Sequence, residues 1–282
     1  MTRERAAGLA YRTAGEPSDR VALLVHGYPE SSYMWRHALP ALGAAGWLAL
    51  APDLAGYGDS EPDPPGTWEH HVDALERFTR ELGLGPVALV THDWGVPIGL
   101  RWACDNPGSV RALVISDGGF FADRRWHDLA NVMRTPGEGE ELIRSYTREG
   151  FGNALRAVSS GMTDDALDEY WKGFAGEARR RAHLELYRSG DFEKLIPYEG
   201  RLAKLGAPAL IVWGAQDRFA TAKMAHRFHA ELEGSELEIF DEAGHFVWED
   251  VPEQAARTLV DFLQRRASPP TARSPQPDGR AD

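Results

Sequence analysis

Three side chains that could carry out covalent catalysis stand directly after predicted strands. Asp93 lies in VTHDWGVPIG, Asp217 in WGAQDRF and His245 in EAGHFVWED. Because the carboxyl ends of parallel strands meet at one edge of a sheet, we expect the three side chains to lie close together. A carboxylate can displace a leaving group from a saturated carbon and form an alkyl ester, which a histidine oriented by a second carboxylate can hydrolyse. The pattern therefore predicts Asp93 as nucleophile, Asp217 as orienting acid and His245 as base.

The residues around Asp93 are typical of a sharp strand-to-helix turn. The apolar run VALV precedes the turn, and VPIGLRWACDNP follows it with helical periodicity. Such a turn favours small residues two positions before and after the nucleophile, because strand and helix backbones approach closely there. Gly95 meets the second requirement, whereas Thr91 occupies the first position, so the turn must hold one extra side chain. An aspartate before a helix also suits an N-cap, but Asp217 and His245 in register favour the catalytic interpretation.

Hydrolysis of an alkyl ester passes through an oxyanion that backbone N–H groups can stabilise. Two such groups are expected: the amide of Trp94, directly after the nucleophile, and the amide of Tyr28 in HGYPESS, the loop after VALLV. His26 is expected to brace this loop. A carboxylate is a poor nucleophile toward an amide, and acyl-ester hydrolases carry Ser where Asp93 stands. The acid therefore indicates substitution at carbon followed by ester hydrolysis.

Short apolar runs alternate with helical segments along much of the chain, which predicts an α/β fold with a mostly parallel sheet covered by helices on both faces. The predicted strands are VALLV (21–25), WLALA (47–51), VALV (87–90), ALVIS (112–116), ALIVW (209–213) and LEIF (237–240). We expect two parts of one core, residues 1–118 and 206–266.

Between these parts the strand signal disappears. Residues 119–205 are rich in aromatic residues and helical periodicity, as in DALDEYWKGFAGEARRRAHLELYRSGDF. An insertion at the carboxyl edge of a parallel sheet lies above the usual ligand site, so we expect this helical insertion to act as a cap. Residues 267–282, rich in Pro, Ser and charge, are expected to form a disordered tail.

Composition excludes several classes of function. The formal net charge of −12 and the lack of a long basic run disfavour nucleic acid and anionic membrane as partners. The chain has no stretch of about 18 apolar residues and one cysteine, Cys104, which we interpret as packing. The i, i+3 pair His226 and His229 lacks further ligands for a metal site. We expect a cytoplasmic monomer or homodimer that needs no metal or organic cofactor.

Five motifs together resemble the Asp-nucleophile branch of the α/β-hydrolases: HGYPESSYMWR, DLAGYGDS, THDWG, WGAQD and AGHF. The resemblance runs from about residue 20 to 265, and the order nucleophile, acid, histidine is that of the α/β-hydrolase fold. This branch contains epoxide hydrolases, haloalkane dehalogenases and fluoroacetate dehalogenases. Fluoroacetate dehalogenases have Arg where Trp94 stands, so that activity is disfavoured.

The resemblance to epoxide hydrolases implies roles for three tyrosines. Tyr28 is an aromatic residue followed by Pro-Glu, as in those enzymes. Tyr187, in LELYRSGDF, matches a cap tyrosine that protonates the departing alkoxide, a task that suits a phenol with a pKa of about 10. Tyr146 is the candidate for a second cap tyrosine. Packing within the insertion is the alternative for Tyr146 and Tyr187.

The resemblance to haloalkane dehalogenases rests on Trp94 and on LRWACDNPGSVRALVISD after the turn. Many of those enzymes carry Asn in place of Tyr28, and its side chain binds the halide together with the Trp N–H. A dehalogenase of this sequence would need another donor from the cap, for which Trp126 and Trp171 are the candidates. Packing within the cap is again the alternative.

We therefore expect an epoxide hydrolase that converts small or medium apolar epoxides and water into vicinal diols through an ester on Asp93. Haloalkane dehalogenation, with release of halide and alcohol, is the alternative. A non-catalytic ligand-binding protein on the hydrolase fold is a third interpretation of a different class.

Overall fold

A computed structural model describes residues 1–267 of the chain, and its centre is an eight-stranded sheet. The strands are β1 (Thr2–Ala6), β2 (Leu9–Ala14), β3 (Val21–Val25), β4 (Leu48–Pro52), β5 (Val87–His92), β6 (Val110–Ser116), β7 (Ala209–Gly214) and β8 (Glu236–Phe240). The six strands predicted from apolar runs correspond to β3 through β8.

The order of the strands is β1-β2-β4-β3-β5-β6-β7-β8. Neighbours among β3 to β8 pair in parallel, whereas β1 and β2 join the edge through antiparallel pairs. Strands β3 and β5 are buried along their whole length, as their continuous apolar sequences predict. The predicted mostly parallel sheet is confirmed.

The described part of the chain contains eleven α-helices. They are α1 (Ala38–Ala44), α2 (Trp68–Glu81), α3 (Gly95–Asp105), α4 (Asp128–Arg134), α5 (Glu138–Ser145), α6 (Arg148–Arg156), α7 (Asp164–Trp171), α8 (Glu177–Ser189), α9 (Ala222–Glu231), α10 (Val247–Asp250) and α11 (Pro252–Arg266). Helix α1 packs against α11, and α2 packs against α3.

Helices α4 to α8 all lie between β6 and β7, within the helical insertion. Threonine caps begin two of them: Thr147 Oγ1 accepts the Gly150 N–H at α6, and Thr163 Oγ1 accepts the Ala166 N–H at α7. Helix α8 packs on α4 and α5 within the insertion and on α2 of the core. The insertion is therefore joined to the core by packing as well as by the chain.

Ion pairs also hold the insertion on the core. Glu169 of α7 accepts from Arg12 of β2 at 2.9 Å, and Lys172, directly after α7, lies 2.9 Å from Asp59 of the loop after β4. The exposed fraction of the Arg12 side chain is only 6%, so water screens this pair less than a surface pair. These contacts fix the insertion over the carboxyl edge of the sheet.

The sequence patterns did not predict the hairpin β1–β2. Most residues of β1 are exposed, so the strand lacks the apolar run by which β3 to β8 were found. Ala7 and Gly8, with φ of 48° and 83°, form its turn, as in two-residue hairpins with positive φ at both positions.

The predicted tail begins at Ala267, which is buried at the end of α11; residues 268–282 lie outside the described residues. Within residues 1–267, no helix has the length and apolarity needed to span a bilayer.

Candidate active site

The three predicted catalytic residues meet at the carboxyl edge of the sheet. Asp93 follows β5, Asp217 follows β7 and His245 follows β8. His245 Nδ1 lies 2.9 Å from Asp217 Oδ2, and His245 Nε2 lies 3.5 Å from Asp93 Oδ2. One nitrogen of the imidazole ring thus contacts the orienting acid, while the other nitrogen points at the nucleophile.

Asp93 occupies a strained turn. Its φ of 47° lies in the left-handed region, which costs energy for a residue with a side chain and is typical of functional sites. A Cβ on Gly95 would lie 2.2 Å from the Val25 carbonyl oxygen, so glycine is required there. The extra side chain of Thr91 fits because Gly99, on the facing turn of α3, has none: a Cβ there would lie 2.7 Å from Thr91 Cγ2.

A backbone donor holds one oxygen of the nucleophile, and a second backbone N–H lies nearby. The Tyr28 N–H donates to Asp93 Oδ1 at 2.7 Å. A Cβ on Gly27 would lie 2.5 Å from Asp93 Oδ1 and 2.7 Å from the Trp94 nitrogen, so the Trp94 amide borders the same small space. An oxygen that gained negative charge there would meet preorganised N–H groups.

The charges of the three residues are strongly coupled. Burial opposes ionisation of Asp93, but its hydrogen bond and attraction to His245 outweigh burial and lower its pKa to about 2. Burial also opposes charging of His245, yet the charge and hydrogen bond of Asp217, followed by those of Asp93, raise the pKa of His245 well above its usual range. At neutral pH the free protein therefore holds an ionised Asp93 beside a protonated His245.

Asp217 is itself fixed by the backbone. Its Oδ1 accepts the N–H groups of Phe219 at 2.7 Å and Ala220 at 2.9 Å, which leaves Oδ2 for His245. Its side chain is fully buried. The loop after β7 thus sets the orientation of the acid, and the acid sets that of the imidazole.

A cavity of about 150 Å³ lies over Asp93 and His245. Apolar side chains from the insertion and the core form most of its wall: Leu129, Phe151, Ala154, Leu155, Val158, Phe219 and Phe246. Tyr28, Tyr146 and Tyr187 also line it, so both candidate cap tyrosines share one cavity with the nucleophile. The arrangement suits an apolar substrate with one polar reacting group.

The tyrosine rings pack closely above the nucleophile. The Tyr187 ring meets those of Tyr28 and Trp94 edge-on, with centroids 5.1 and 5.3 Å apart. Burial, and then repulsion from Asp93, raises the pKa of Tyr187 well above its usual range. Burial raises the pKa of Tyr146 as well, against a hydrogen bond with Tyr28 that lowers it. Both phenols therefore remain protonated and can donate hydrogen bonds at neutral pH.

The candidate halide donors of the insertion lie elsewhere. The Trp126 ring stacks between Trp94, at 5.5 Å, and Phe192, at 4.2 Å. The Trp171 ring stacks on Phe174 at 5.5 Å. Neither tryptophan belongs to the lining of the cavity over Asp93. Both side chains pack within aromatic clusters, which is the alternative that the sequence left open.

A buried acid–histidine pair beside the triad was not assigned a role from the sequence. Glu30 Oε2 lies 3.2 Å from His92 Nε2, and both side chains are fully buried. Burial raises the pKa of Glu30 well above its usual range and lowers that of His92 well below it, so both groups favour their neutral forms. Glu30 lies in HGYPESS and His92 in THDWG, but the sequence alone does not indicate that both side chains are buried.

Among residues 1–267, no group of three or more His, Cys, Asp or Glu side chains has a geometry that could hold a metal ion. The polar groups that line the cavity include the carboxylate of Asp93, the imidazole of His245 and three tyrosine hydroxyls. The arrangement can form a covalent ester and hydrolyse it with its own side chains.

Comparisons with known proteins agree with this architecture. Residues 21–252 match the family described as alpha/beta hydrolase fold. The chain is 41% identical to "Epoxide hydrolase 3" of Siraitia grosvenorii, over 92% of this chain and 96% of the relative, and 27% identical to a "Cis-3-alkyl-4-alkyloxetan-2-one decarboxylase" of Xanthomonas campestris, over 91% and 92%. The crystal structure of haloalkane dehalogenase DbeA from Bradyrhizobium elkani superposes with a TM-score of 0.83 at 26% identity, covering 94% of this chain and 98% of that one. The chain belongs to the α/β-hydrolase family and is a hydrolase of the branch that its sequence motifs indicated.

Proposed function

We propose that this protein is an epoxide hydrolase that converts small apolar epoxides into vicinal diols through an ester on Asp93. The observation that carries the proposal is the pair of phenols, Tyr146 and Tyr187, in the same cavity as Asp93 and His245. An epoxide leaves as a strongly basic alkoxide that must be protonated, and buried phenols are suitable donors. The 41% identity to the Siraitia grosvenorii protein named "Epoxide hydrolase 3" adds support.

In the first step, Asp93 Oδ2 attacks an epoxide carbon while Tyr146 and Tyr187 donate hydrogen bonds to the ring oxygen. The C–O bond of the ring breaks as the ester bond forms, and a phenol gives its proton to the alkoxide. Oδ1 is held by the Tyr28 N–H at 2.7 Å, so Oδ2 is the oxygen left for attack. The apolar wall aligns the substrate in the cavity.

Ester formation changes the charge of the site and so activates the base. The ester is neutral, and the attraction of Asp93 that raised the pKa of His245 is lost. His245 can then give its proton to the tyrosinate left by ring opening and become a neutral base. The hydrogen bond between His245 Nδ1 and Asp217 Oδ2 keeps the imidazole oriented.

In the second step, His245 takes a proton from water, and the resulting hydroxide attacks Cγ of the ester. The Tyr28 and Trp94 amides stabilise the oxyanion at Oδ1. Collapse of this intermediate breaks the bond between Cγ and the alkyl-bearing oxygen, and the proton of the added hydroxyl passes to the departing alkoxide to give the diol. The Asp93 carboxylate is regenerated beside a protonated His245. One epoxide and one water are consumed for each diol, with no other reactant.

Haloalkane dehalogenation remains the competing activity. The same nucleophile and base would serve it, and the fold similarity to DbeA is consistent with it. A halide, however, is usually held by two N–H donors, and Trp126 and Trp171 lie outside the cavity lining. The two phenols have no required role in halide departure, so the site favours the epoxide.

A ligand-binding protein without catalysis is disfavoured by the hydrogen bond of 2.9 Å between Asp217 and His245. A receptor has no use for an oriented base beside an ionised carboxylate of depressed pKa.

We further propose that residues 119–205 act as the cap, and that the protein works in the cytoplasm as a monomer or homodimer without nucleic acid or membrane partners. The net charge of −12 supports this proposal. Light scattering of the purified protein tests the oligomeric state, and a larger assembly would contradict it.

Parallel product assays test the activity. The purified parent protein and the Asp93→Ala variant are each given aryl and alkyl epoxides, chloro- and bromoalkanes, and a β-lactone. The β-lactone is included because the name of the Xanthomonas relative contains this strained ring. We expect diol from the epoxides with the parent protein and none with Asp93→Ala. Release of halide or carbon dioxide without diol would contradict the proposal.

A further inference from the structure

The backbone that carries the catalytic histidine is pressed between the core and the insertion. A Cβ on Gly214, at the end of β7, would lie 1.9 Å from the Gly244 carbonyl oxygen, and a Cβ on Gly244 would lie 2.9 Å from the Val158 oxygen of the insertion. The residue before His245 therefore touches β7 on one side and the loop between α6 and α7 on the other. A shift of that loop would therefore displace Gly244 and, with it, the backbone of His245.

One carboxylate joins these two backbones. Asp250 Oδ2 accepts the Gly244 N–H at 2.8 Å, while Oδ1 accepts the Ser159 hydroxyl at 2.6 Å and the Gly161 N–H at 3.0 Å. Ser159 and Gly161 belong to the α6–α7 loop of the insertion. The side chain of Asp250 thus bridges this loop to the residue that precedes the catalytic base.

The α6–α7 loop also packs tightly against α10 beside this bridge. A Cβ on Gly161 would lie 1.8 Å from the Glu249 carbonyl oxygen, so the loop lies directly on the backbone of α10. Glu249 is fixed in turn: both of its oxygens accept from Arg36 at 2.7 Å, and the Tyr170 hydroxyl of α7 also donates to it. The helix that presents Asp250 is therefore anchored to both the core and the insertion.

We propose that Asp250 is a positioning residue for ester hydrolysis, because it holds the His245 backbone at a fixed height under the insertion. The inference rests on the proposed Asp93 ester. His245 acts as a base only after the ester has formed, so its displacement slows the second step and spares the first. Misplacement of a catalytic group by about 1 Å can cost 100-fold in rate, which makes one missing hydrogen bond measurable.

Two substitutions separate the arms of the bridge. In Asp250→Asn, the amide oxygen still accepts from Ser159 and Gly161, but the amino group faces the Gly244 N–H and that bond is lost. In Ser159→Ala, one bond to the insertion is lost while the Gly244 bond remains. Glu242→Ala is the matched control, because Glu242 is an exposed carboxylate of the loop that carries Gly244, and it accepts from Gln254, whereas the Gly244 N–H donates to Asp250.

The experiment measures ester formation in the pre-steady state by rapid quench and intact mass, with an epoxide in excess of full-length protein. Ester breakdown is then followed after the free epoxide has been removed. We expect Asp250→Asn to slow ester breakdown about 10- to 100-fold while ester formation changes less than about threefold, so the adduct accumulates. Ser159→Ala should show a smaller effect in the same direction, and Glu242→Ala none.

Equal losses in both steps, or breakdown at the parent rate in Asp250→Asn, would overturn the positioning role. The amount of adduct formed gives the folded, active fraction of each variant and so separates a folding defect from a slow step. Absence of any adduct on Asp93 in His245→Gln protein, given an epoxide that the parent protein turns over, would instead contradict the proposed function, since that outcome does not depend on Asp250.

Discussion

The backbone N–H of Tyr28 donates to Asp93 Oδ1 at 2.7 Å. One amide thus orients the nucleophile in the free protein and remains in place for the oxyanion when the ester is attacked. Such preorganisation needs no rearrangement during the reaction. It depends on Gly27, because only a residue without a side chain leaves room between this loop and Asp93.

We therefore expect Gly27→Ala to lower the rate of ester breakdown by about 100-fold or more. The added methyl group would lie 2.5 Å from Asp93 Oδ1 and 2.7 Å from the Trp94 nitrogen, so it fills the space of the developing oxyanion. Gly85→Ala is the control, since its Cβ meets nothing within 4 Å. A Gly27→Ala protein with parent stability and parent rate would show that this space is not used.

Removal of the phenol hydroxyls should impair ring opening. We expect Tyr146→Phe and Tyr187→Phe each to slow ester formation from epoxides about 10-fold or more, and the double variant about 10²- to 10⁴-fold, because no acid remains for the alkoxide. Ester breakdown should change little, which pre-steady-state kinetics can measure. A double variant that opens epoxides at the parent rate would contradict the role of the tyrosines.

Substitution of a tryptophan in the insertion should distinguish epoxide hydrolysis from haloalkane dehalogenation. Because Trp171 stacks outside the cavity, we expect Trp171→Phe to leave diol formation near the parent rate. Measurement of both diol and halide with this variant checks the assignment. A selective loss of halide release would show that Trp171 reaches a halide after all.

The two steps should differ in their dependence on pH. Ester formation needs ionised Asp93, with a pKa of about 2, and protonated Tyr187, with a pKa well above its usual value. Its rate should therefore be flat between about pH 5 and pH 9. Ester breakdown needs neutral His245, so its rate should rise with pH through the pKa that His245 has in the ester, where Asp217 still raises it.

Single-turnover rates across this pH range, followed by rapid quench, measure the two steps separately. Ester formation that falls on acidification toward pH 5 would show that Asp93 is not the depressed carboxylate described here.

Much of this site could be predicted from local sequence. Asp93, Asp217 and His245 each follow an apolar run. Because such runs form parallel strands whose carboxyl ends meet at one edge of the sheet, the sequence predicts that the three side chains lie close together. The turn around Asp93 was recognisable from Gly95. The compensation of Thr91 by Gly99 was not, because it joins a strand to a helix across packed backbones.

Long-range contacts between residues could not be predicted from the sequence patterns. The pairing of Tyr146 with Tyr187 in one cavity depends on how α5 and α8 pack, and no periodicity specifies that packing. Asp250 is one acidic residue in the run EDVPEQ, with nothing local to link it to Gly244 or Ser159. The exposed strand β1 was missed because its sequence lacks an apolar run.

The most direct test of the account is the intact mass of His245→Gln protein after addition of an epoxide. This variant keeps Asp93, Tyr146 and Tyr187 but lacks the base for the second step, so we expect one molecule of epoxide to be added to each chain and to remain bound. Peptide mapping should locate the adduct on Asp93, and Asp93→Ala should take up none. An unmodified His245→Gln protein, given an epoxide that the parent protein turns over, would contradict the covalent mechanism.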